Sequence, residues 1–272
     1  MSQNIQTQEE IKQQVQNYWN EQPCGTQFAE SEKLTIEYFN DIESHRYSVE
    51  PEIFAFAQFT RYYGQKVLEV GVGAGTDFTQ WVRSGAKAYG LDATPQGVEH
   101  VQRRLELYGL VAEEVRVGDA ENLPYSDNNF DLVYSWGVIH HTPDTPKCFR
   151  EIVRVTKPGG RCKIMIYHRN SLLTYFFWAK YALLKGKPWL SFDKVLWNHM
   201  ESIGTKAYSQ KEVEKILAGQ PICNLKIKPV LTYYDKMTRF GGWQYLIGRI
   251  AAYLLGGDRV GWFLTIEFEK NK

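Results

Sequence analysis

The sequence predicts an α/β domain built around a parallel sheet. Three observations lead there. Short apolar runs alternate along the chain with stretches of helical periodicity, the pattern of βαβ units. The first apolar run ends in a glycine-rich turn, and a carboxylate follows the second run and another the third. At 272 residues, the chain fits one decorated α/β domain better than two independent ones.

The elements are expected in this order. Residues 8–20 read as a helix, which a loop containing Pro23-Cys24-Gly25 ends. Residues 30–64 alternate helical patterns with breaks. Lys66–Val70 is a short apolar run closed by glycines, as a buried parallel strand should be. Thr76–Ser84 reads as a helix and Ala86–Leu91 as the second strand. Pro95 suits the first turn of a helix running to about Tyr108. Glu114–Val117 and Phe130–Tyr134 supply the third and fourth strands. Pro146–Val155 is helical, Pro158-Gly159-Gly160 forms a turn, and Arg161–Tyr167 is the fifth strand. Residues 169–207 interrupt the alternation. A helix at Gln210–Ala218 resumes it, and Leu225–Leu231 and Trp262–Glu269 close the sheet. The chain thus divides into an N-terminal helical segment (1–60), a core (61–168), an insertion (169–207) and the C-terminal part of the core (208–272). In open α/β sheets ligands bind at the carboxyl ends of the strands, so the two extra segments are candidates to cover that edge.

Composition narrows the function classes. Hydrophobic residues make up 43% and charged residues 23%, ordinary for a globular protein, and the formal net charge is +1. No basic stripe argues for a nucleic-acid backbone as partner. Cys24, Cys148, Cys162 and Cys223 are far apart and form no CxxC pair, so reduced thiols are expected, with neither a zinc site nor a disulfide framework. Histidine spacing gives no metal site either. The polar N-terminal residues lack an apolar signal core. The apolar stretch Leu172–Leu184 contains Lys180 and is shorter than the roughly 20 residues a bilayer span needs. These features point to a cytoplasmic protein. Aromatic residues, at 14%, include Trp178, Trp189, Trp197, Trp243 and Trp262 beyond Tyr167. They fill a core or line a substrate cavity.

Four segments carry chemistry. Residues 67–76, VLEVGVGAGT, place GxGxG where a dinucleotide site would have GxGxxG, with Thr76 at the third glycine and Glu69 inside the motif. A pyrophosphate would be repelled by that carboxylate, whereas a cationic amino-acid ligand would be attracted. Asp92 follows the second strand about 20 residues past the glycines, where a carboxylate meets ribose hydroxyls. Asp119-Ala120 follows the third strand. An aspartate there can pair with an adenine amino edge, and the small residue leaves room for the ring. Residues 130–143, FDLVYSWGVIHHTP, run from a buried strand into a loop at the pocket mouth.

Together these segments resemble the class I S-adenosylmethionine (SAM)-dependent methyltransferases, in particular the UbiE/COQ5-like small-molecule branch (methyltransferase type 11). The resemblance is strong over about residues 60–168 and weaker to about 270, where residues 261–269 look like the family's last, antiparallel strand. It implies a Rossmann-like, seven-stranded, mostly parallel sheet with helices on both faces, an N-terminal helical lid, and a cap inserted after the fifth strand. It implies SAM as cofactor and transfer of a methyl group to a small-molecule acceptor at oxygen, nitrogen or carbon, leaving S-adenosylhomocysteine. Glu69, Gly71, Gly73 and Gly75 would hold the methionine part of SAM. Asp92 would bind the ribose, Asp119 and Ala120 would meet the adenine, and Ser135 and Trp136 would flank the sulfonium end. Tyr18, Arg46 and Tyr47 resemble lid segments, and Tyr167 and Trp197 are candidates for the acceptor pocket. His168, His199 and His141 are the candidate bases. His168, with a residue of the N-terminal segment, is expected beside the transferred methyl. His45 and His100 read as surface residues.

The rival readings are an RNA methyltransferase, disfavoured by charge, a non-catalytic SAM- or nucleotide-binding module, and a nicotinamide-dependent oxidoreductase, disfavoured by the GxGxG pattern. A second copy of the chain is a candidate partner. Leu172–Trp178 suits either a helical cap packed on the core or contact with a hydrophobic acceptor.

Overall fold

The computed structural model describes residues 7–200, 202, 204–235, 250 and 256–272. Seven strands, β1 (Lys66–Val70), β2 (Lys87–Asp92), β3 (Glu114–Val117), β4 (Phe130–Trp136), β5 (Thr156–Tyr167), β6 (Ile222–Val230) and β7 (Phe263–Lys270), form one sheet in the order β3-β2-β1-β4-β5-β7-β6. The pairs from β3 through β5 are parallel, and β7 runs antiparallel to both β5 and β6. The seven-stranded, mostly parallel α/β expectation therefore holds, last antiparallel strand included.

The central strands bury both faces, as a sheet covered on each side requires, while the edge strands β3 and β6 stay largely open. Val67, Leu132, Tyr134, Met165 and Tyr167 face one layer, where Ile53, Phe59, Phe78, Trp81 and Val101 pack. Leu68, Val70, Val133, Ile164 and Ile166 face the other, against Phe149, Ile152, Val153, Val213 and Leu217. The first layer contains α3 (Glu52–Ala57), α4 (Thr76–Arg83) and α5 (Pro95–Tyr108), and the second contains α6 (Thr145–Val155) and α9 (Gln210–Leu217). Local signals start these helices. Thr94 caps α5 by accepting from the Gly97 amide, with Pro95 in its first turn, and Ser209 and Glu212 close a capping box on α9.

Several boundaries differ from expectation, β6 for instance starting at Ile222 rather than Leu225. Phe130 pairs with Thr156 but Leu132 pairs with Arg161, so the Pro158-Gly159-Gly160 turn lies inside β5 as a bulge. Gly159 supplies the φ of +75° that the bulge needs. Strand β4 also runs two residues past Tyr134, carrying Ser135 and Trp136 to the sheet edge.

The N-terminal segment has three parts. Helix α1 (Gln8–Glu21) opens on a Thr7–Glu10 capping box and buries none of its residues. Helix α2 (Ile36–Val49) packs on α4 and α5. Helix α3 and the turn after it place Ile53, Ala57, Phe59 and Tyr62 in the core itself, so the segment is not lid throughout. In the insertion, α7 (Leu172–Tyr181) and α8 (Phe192–His199) pack on each other, with Leu173 and Leu196 in the core. Trp243 lies outside the described residues. Among the described residues, no helix is long and apolar enough to cross a membrane, and no group of three or more His, Cys, Asp or Glu could hold a metal ion.

Candidate active site

The carboxyl ends of the five parallel strands open into one cavity of about 550 Å³. Each strand delivers a residue to its wall: Glu69 from β1, Asp92 from β2, Asp119 just beyond β3, Trp136 from β4 and Tyr167 from β5. The topology makes this so, because successive parallel strands end at the same edge.

The glycine loop between β1 and α4 forms the cavity's tightest wall. Gly71, Gly73 and Gly75 all have positive φ, of +86°, +51° and +77°. Their constraints differ. A Cβ on Gly71 would lie 2.2 Å from the Val138 side chain, and one on Gly75 would press on Val101 at 3.0 Å. At Gly73 a Cβ would meet nothing within 4 Å, and Gly73 lines the cavity. Gly73 therefore keeps the ligand side of the loop bare, whereas Gly71 and Gly75 permit packing. Asp92 ties the loop to β2. Its Oδ2 accepts from the Gly73 amide at 2.8 Å, and its Oδ1 accepts from the Thr94 amide and hydroxyl at 2.9 and 2.8 Å.

Beneath the loop lies a buried carboxylate cluster. Glu69 Oε2 accepts from the Trp81 indole at 2.8 Å. Asp77 accepts from Arg46 Nη2 at 3.1 Å, Tyr47 at 3.1 Å and Tyr134 at 2.9 Å. Glu50 accepts from the Trp136 indole at 2.8 Å and from the Tyr234 hydroxyl at 3.2 Å, and Arg46 lies 3.8 Å away. Burial pushes the Glu69 carboxyl well above its usual range, Asp77 adds to the push, and Arg46 opposes it. Burial also raises Asp92, against the pull of the Gly73 amide. Arg46 pairs with both Asp77 and Glu50, so this end of the cavity holds more carboxylate than cation even with the Glu69 carboxyl pushed up by burial. That suits a ligand carrying an ammonium group.

At the far end, α1 crosses the mouth. Lys12 Nζ donates to Asp119 Oδ2 at 2.8 Å and to Glu121 Oε2 at 3.0 Å. Asn20 Oδ1 accepts from the Gln96 amide at 3.3 Å, and the Trp19 ring meets the edge of His141 with centroids 5.3 Å apart. Between these ends the wall is mostly apolar: Met165, Tyr167, Leu173, Phe177, Trp262 and Phe263.

Twelve of the residues singled out from the sequence line this cavity: Tyr18, Arg46, Glu69, Gly71, Gly73, Asp92, Asp119, Ala120, Trp136, His141, Tyr167 and His199. Five do not. Gly75 caps α4. Ser135 donates to the Val70 carbonyl at 3.0 Å and is fully buried, because alternation along β4 turns it away from Trp136. Tyr47 donates to Asp77 and the Thr76 carbonyl, behind the loop. Trp197 packs near Gly204. His168 is buried and does not line the cavity, and its Nδ1 lies 2.9 Å from the Gly261 carbonyl. His199 lines the cavity but is exposed and stacked on Tyr181, ring centroids 4.0 Å apart. Of the three candidate bases, His141 is the one that is both buried and on the wall. His100 is buried rather than at the surface, with Nδ1 2.8 Å from the Gln96 carbonyl, and His45 stacks on Phe28 at 3.7 Å.

Sequence reasoning missed Asp77, Glu50 and Lys12. Asp77 directly follows the glycine motif, and Glu50 stands four residues after Arg46, spacings that could have raised both. Nothing local marks Lys12, whose partners are more than 100 residues away.

Residues 68–164 match a family model described as a methyltransferase domain. Over 99 residues the chain is 41% identical to a phthiotriol/phenolphthiotriol dimycocerosates methyltransferase of Mycobacterium leprae, covering 36% of each protein. Over 145 residues it is 33% identical to a fatty-acid O-methyltransferase of Mycolicibacterium smegmatis, covering 53% of this chain and 48% of that protein. The matched stretch thus spans about half or less of these relatives. Among solved structures, a phosphoethanolamine N-methyltransferase 2 of Haemonchus contortus in complex with S-adenosylhomocysteine superposes with a TM-score of 0.61. It is 16% identical and covers 95% of this chain and 60% of that one, a likeness of fold.

Proposed function

We propose that this protein, in which residues 68–164 form a methyltransferase domain, transfers a methyl group from SAM to a small, largely apolar acceptor. The observation that carries the proposal is the single cavity. It joins an electronegative glycine-loop end, an Asp92 and Asp119 edge, and an apolar compartment beyond Trp136. SAM fits that order. The open face at Gly73 admits a ligand against the backbone, and the two carboxylates, Asp77 and Glu50, that share Arg46 suit the amino-acid ammonium. Asp92 would accept from the ribose hydroxyls, and Ala120, also on the wall, would leave space for the adenine ring. When bound, SAM supplies an electrophilic methyl group.

The chain's own residues would orient the acceptor and exclude water. Alignment of reactants is worth about 7–11 kcal/mol, so no strong base is required. Of the candidate bases, His141 is the one proposed to act. Thr205 Oγ1 donates to the Ser202 carbonyl at 2.7 Å and so can only accept elsewhere. Every remaining contact is filled if His141 Nδ1–H donates to the Ser202 and Thr205 hydroxyls, at 2.9 and 3.1 Å, and Ser202 donates on to Thr205. Nε2 is then a bare acceptor, and it has no protein partner among the described residues. Burial pushes this imidazole down to about 3, with Lys206 adding to the effect. It is therefore neutral and a poor proton store, suited to accept the hydrogen bond of an acceptor O–H or N–H. Residues 1–30 and 169–207 are proposed to act as lid and cap over this compartment, and the protein to work in the cytoplasm without nucleic acid, as a monomer or homodimer. The apolar wall and the fatty-acid and dimycocerosate acceptors named for two relatives support an apolar acceptor.

Calorimetry with SAM, followed by assay of S-adenosylhomocysteine release over a panel of apolar alcohols, acids and amines, tests this reading. Absence of SAM binding would overturn it. His141→Leu is expected to lower turnover about tenfold or more, the worth of one hydrogen bond, with SAM affinity unchanged.

A further inference from the structure

The insertion between β5 and α9 has an outer surface that the cavity does not use. Helix α7, LLTYFFWAKY, is apolar all round rather than along one stripe. Its inner side supplies Leu173 and Phe177 to the cavity wall, while Tyr175 is exposed on the outside. The turn that follows is more exposed still. Every residue from 183 to 189 is exposed, with Leu184 at 79% and Trp189 at 76%. Two large apolar side chains this open, five residues apart in the connection between α7 and α8, are more than the scattered exposure of an ordinary surface. Along the hairpin itself the charge has one sign. Lys180, Lys185 and Lys187 fall in this stretch, and no acidic residue occurs from Ser171 to Phe192. The nearest acid, Asp193, is paired with Arg169 at 3.1 Å.

From this juxtaposition we infer that the tip of the α7–α8 hairpin is an interfacial docking site for an anionic phospholipid surface. Leu183, Leu184 and Trp189 would enter the headgroup–acyl boundary, and the lysines would stay at the phosphates, their stems along the apolar surface. Hydrophobicity would drive insertion, and the lysines give the preference for anionic over zwitterionic lipid. The chain lies on the bilayer in this arrangement and does not span it. Docking stands on the hairpin surface alone and does not depend on the methyl-transfer reading.

Sedimentation of the full chain with vesicles tests it. Vesicles of phosphatidylcholine containing a third phosphatidylglycerol are expected to carry the protein down at low salt, and vesicles of phosphatidylcholine alone to carry little. High salt should weaken the binding. Replacing both Lys185→Gln and Lys187→Gln is expected to lower partitioning by about fivefold per lysine. The double change Leu184→Ser and Trp189→Ser should abolish it. All four side chains are exposed, so an unchanged thermal midpoint is the check on folding. Failure of the wild-type chain to bind anionic vesicles would overturn the inference, as would binding that neither pair of substitutions alters. A loss of self-association on Leu184→Ser and Trp189→Ser, without vesicle binding by the wild type, would instead assign the surface to a second copy and overturn it as well.

Discussion

Residue by residue, the site separates groups that look alike in the sequence. The three glycines of GVGAG share positive φ but not their reason for being glycine. A methyl on Gly71 strikes Val138, whereas a side chain on Gly73 projects into the cavity. Gly73→Val is therefore expected to fold, at a backbone cost of about 1–2 kcal/mol, and to lose SAM binding. Circular dichroism with calorimetry checks both halves, and normal SAM affinity in this variant would reduce the glycine to a turn residue. Asp92 has two tasks, because it holds the Gly73 amide as well as facing the cavity. Asp92→Ala should weaken SAM binding by about 1.5–3 kcal/mol, the range for a hydrogen bond to a charged group. An unchanged dissociation constant would remove Asp92 from the site. The paired histidines also divide: both are buried, but His141 alone has hydroxyl partners at Nδ1 and a place on the cavity wall.

At the scale of elements, α1 and the sheet differ in what holds them. Helix α1 buries no residue, and polar or edge-on contacts tether it: Lys12 to Asp119 and Glu121, Asn20 to the Gln96 amide, and Trp19 to His141 among them. The strands and α4 are fixed instead by burial, each large apolar side chain contributing about 1.5–3 kcal/mol. Removing residues 1–30 is accordingly expected to abolish turnover while leaving the far-ultraviolet spectrum and a cooperative unfolding transition. Retained turnover would show that α1 is an ornament. Trp81 joins the two scales. Its ring packs on Phe59 and Tyr134, and its indole holds Glu69. Trp81→Ala should cost about 3–5 kcal/mol of stability.

The whole molecule carries the consequence of burying neutral histidine. The folded imidazole of His141 resists protonation down to about 3, whereas an unfolded one titrates at its ordinary value of about 6.5. Between those values the unfolded chain binds the extra proton, so stability at this position falls as pH drops, by about 1.4 kcal/mol per unit. His141→Gln lacks this titration. Relative to wild type, its unfolding free energy should improve by about 2 kcal/mol between pH 7 and pH 5, read from denaturant midpoints at both values. A gap independent of pH would mean that the imidazole is solvated in the folded state.

The sequence by itself determined the sheet and the ligand edge. Strand cores such as Lys66–Val70 and Phe130–Trp136 are legible because parallel strands buried on both faces must be short apolar runs, and helix starts such as Thr94-Pro95 because caps are local. Glu69, Asp92 and Asp119 could be placed at one edge because successive parallel strands end there. Tertiary structure decided what depends on side-chain direction and on distant partners. Ser135 and His168 sit at the right chain positions but turn away, since one step along a strand reverses the face and the Gly261 carbonyl captures the imidazole. Lys12 reaches Asp119, and Arg46 of α2 reaches Asp77 of α4 and Glu69 of β1, only because folding closes gaps that no local periodicity encodes.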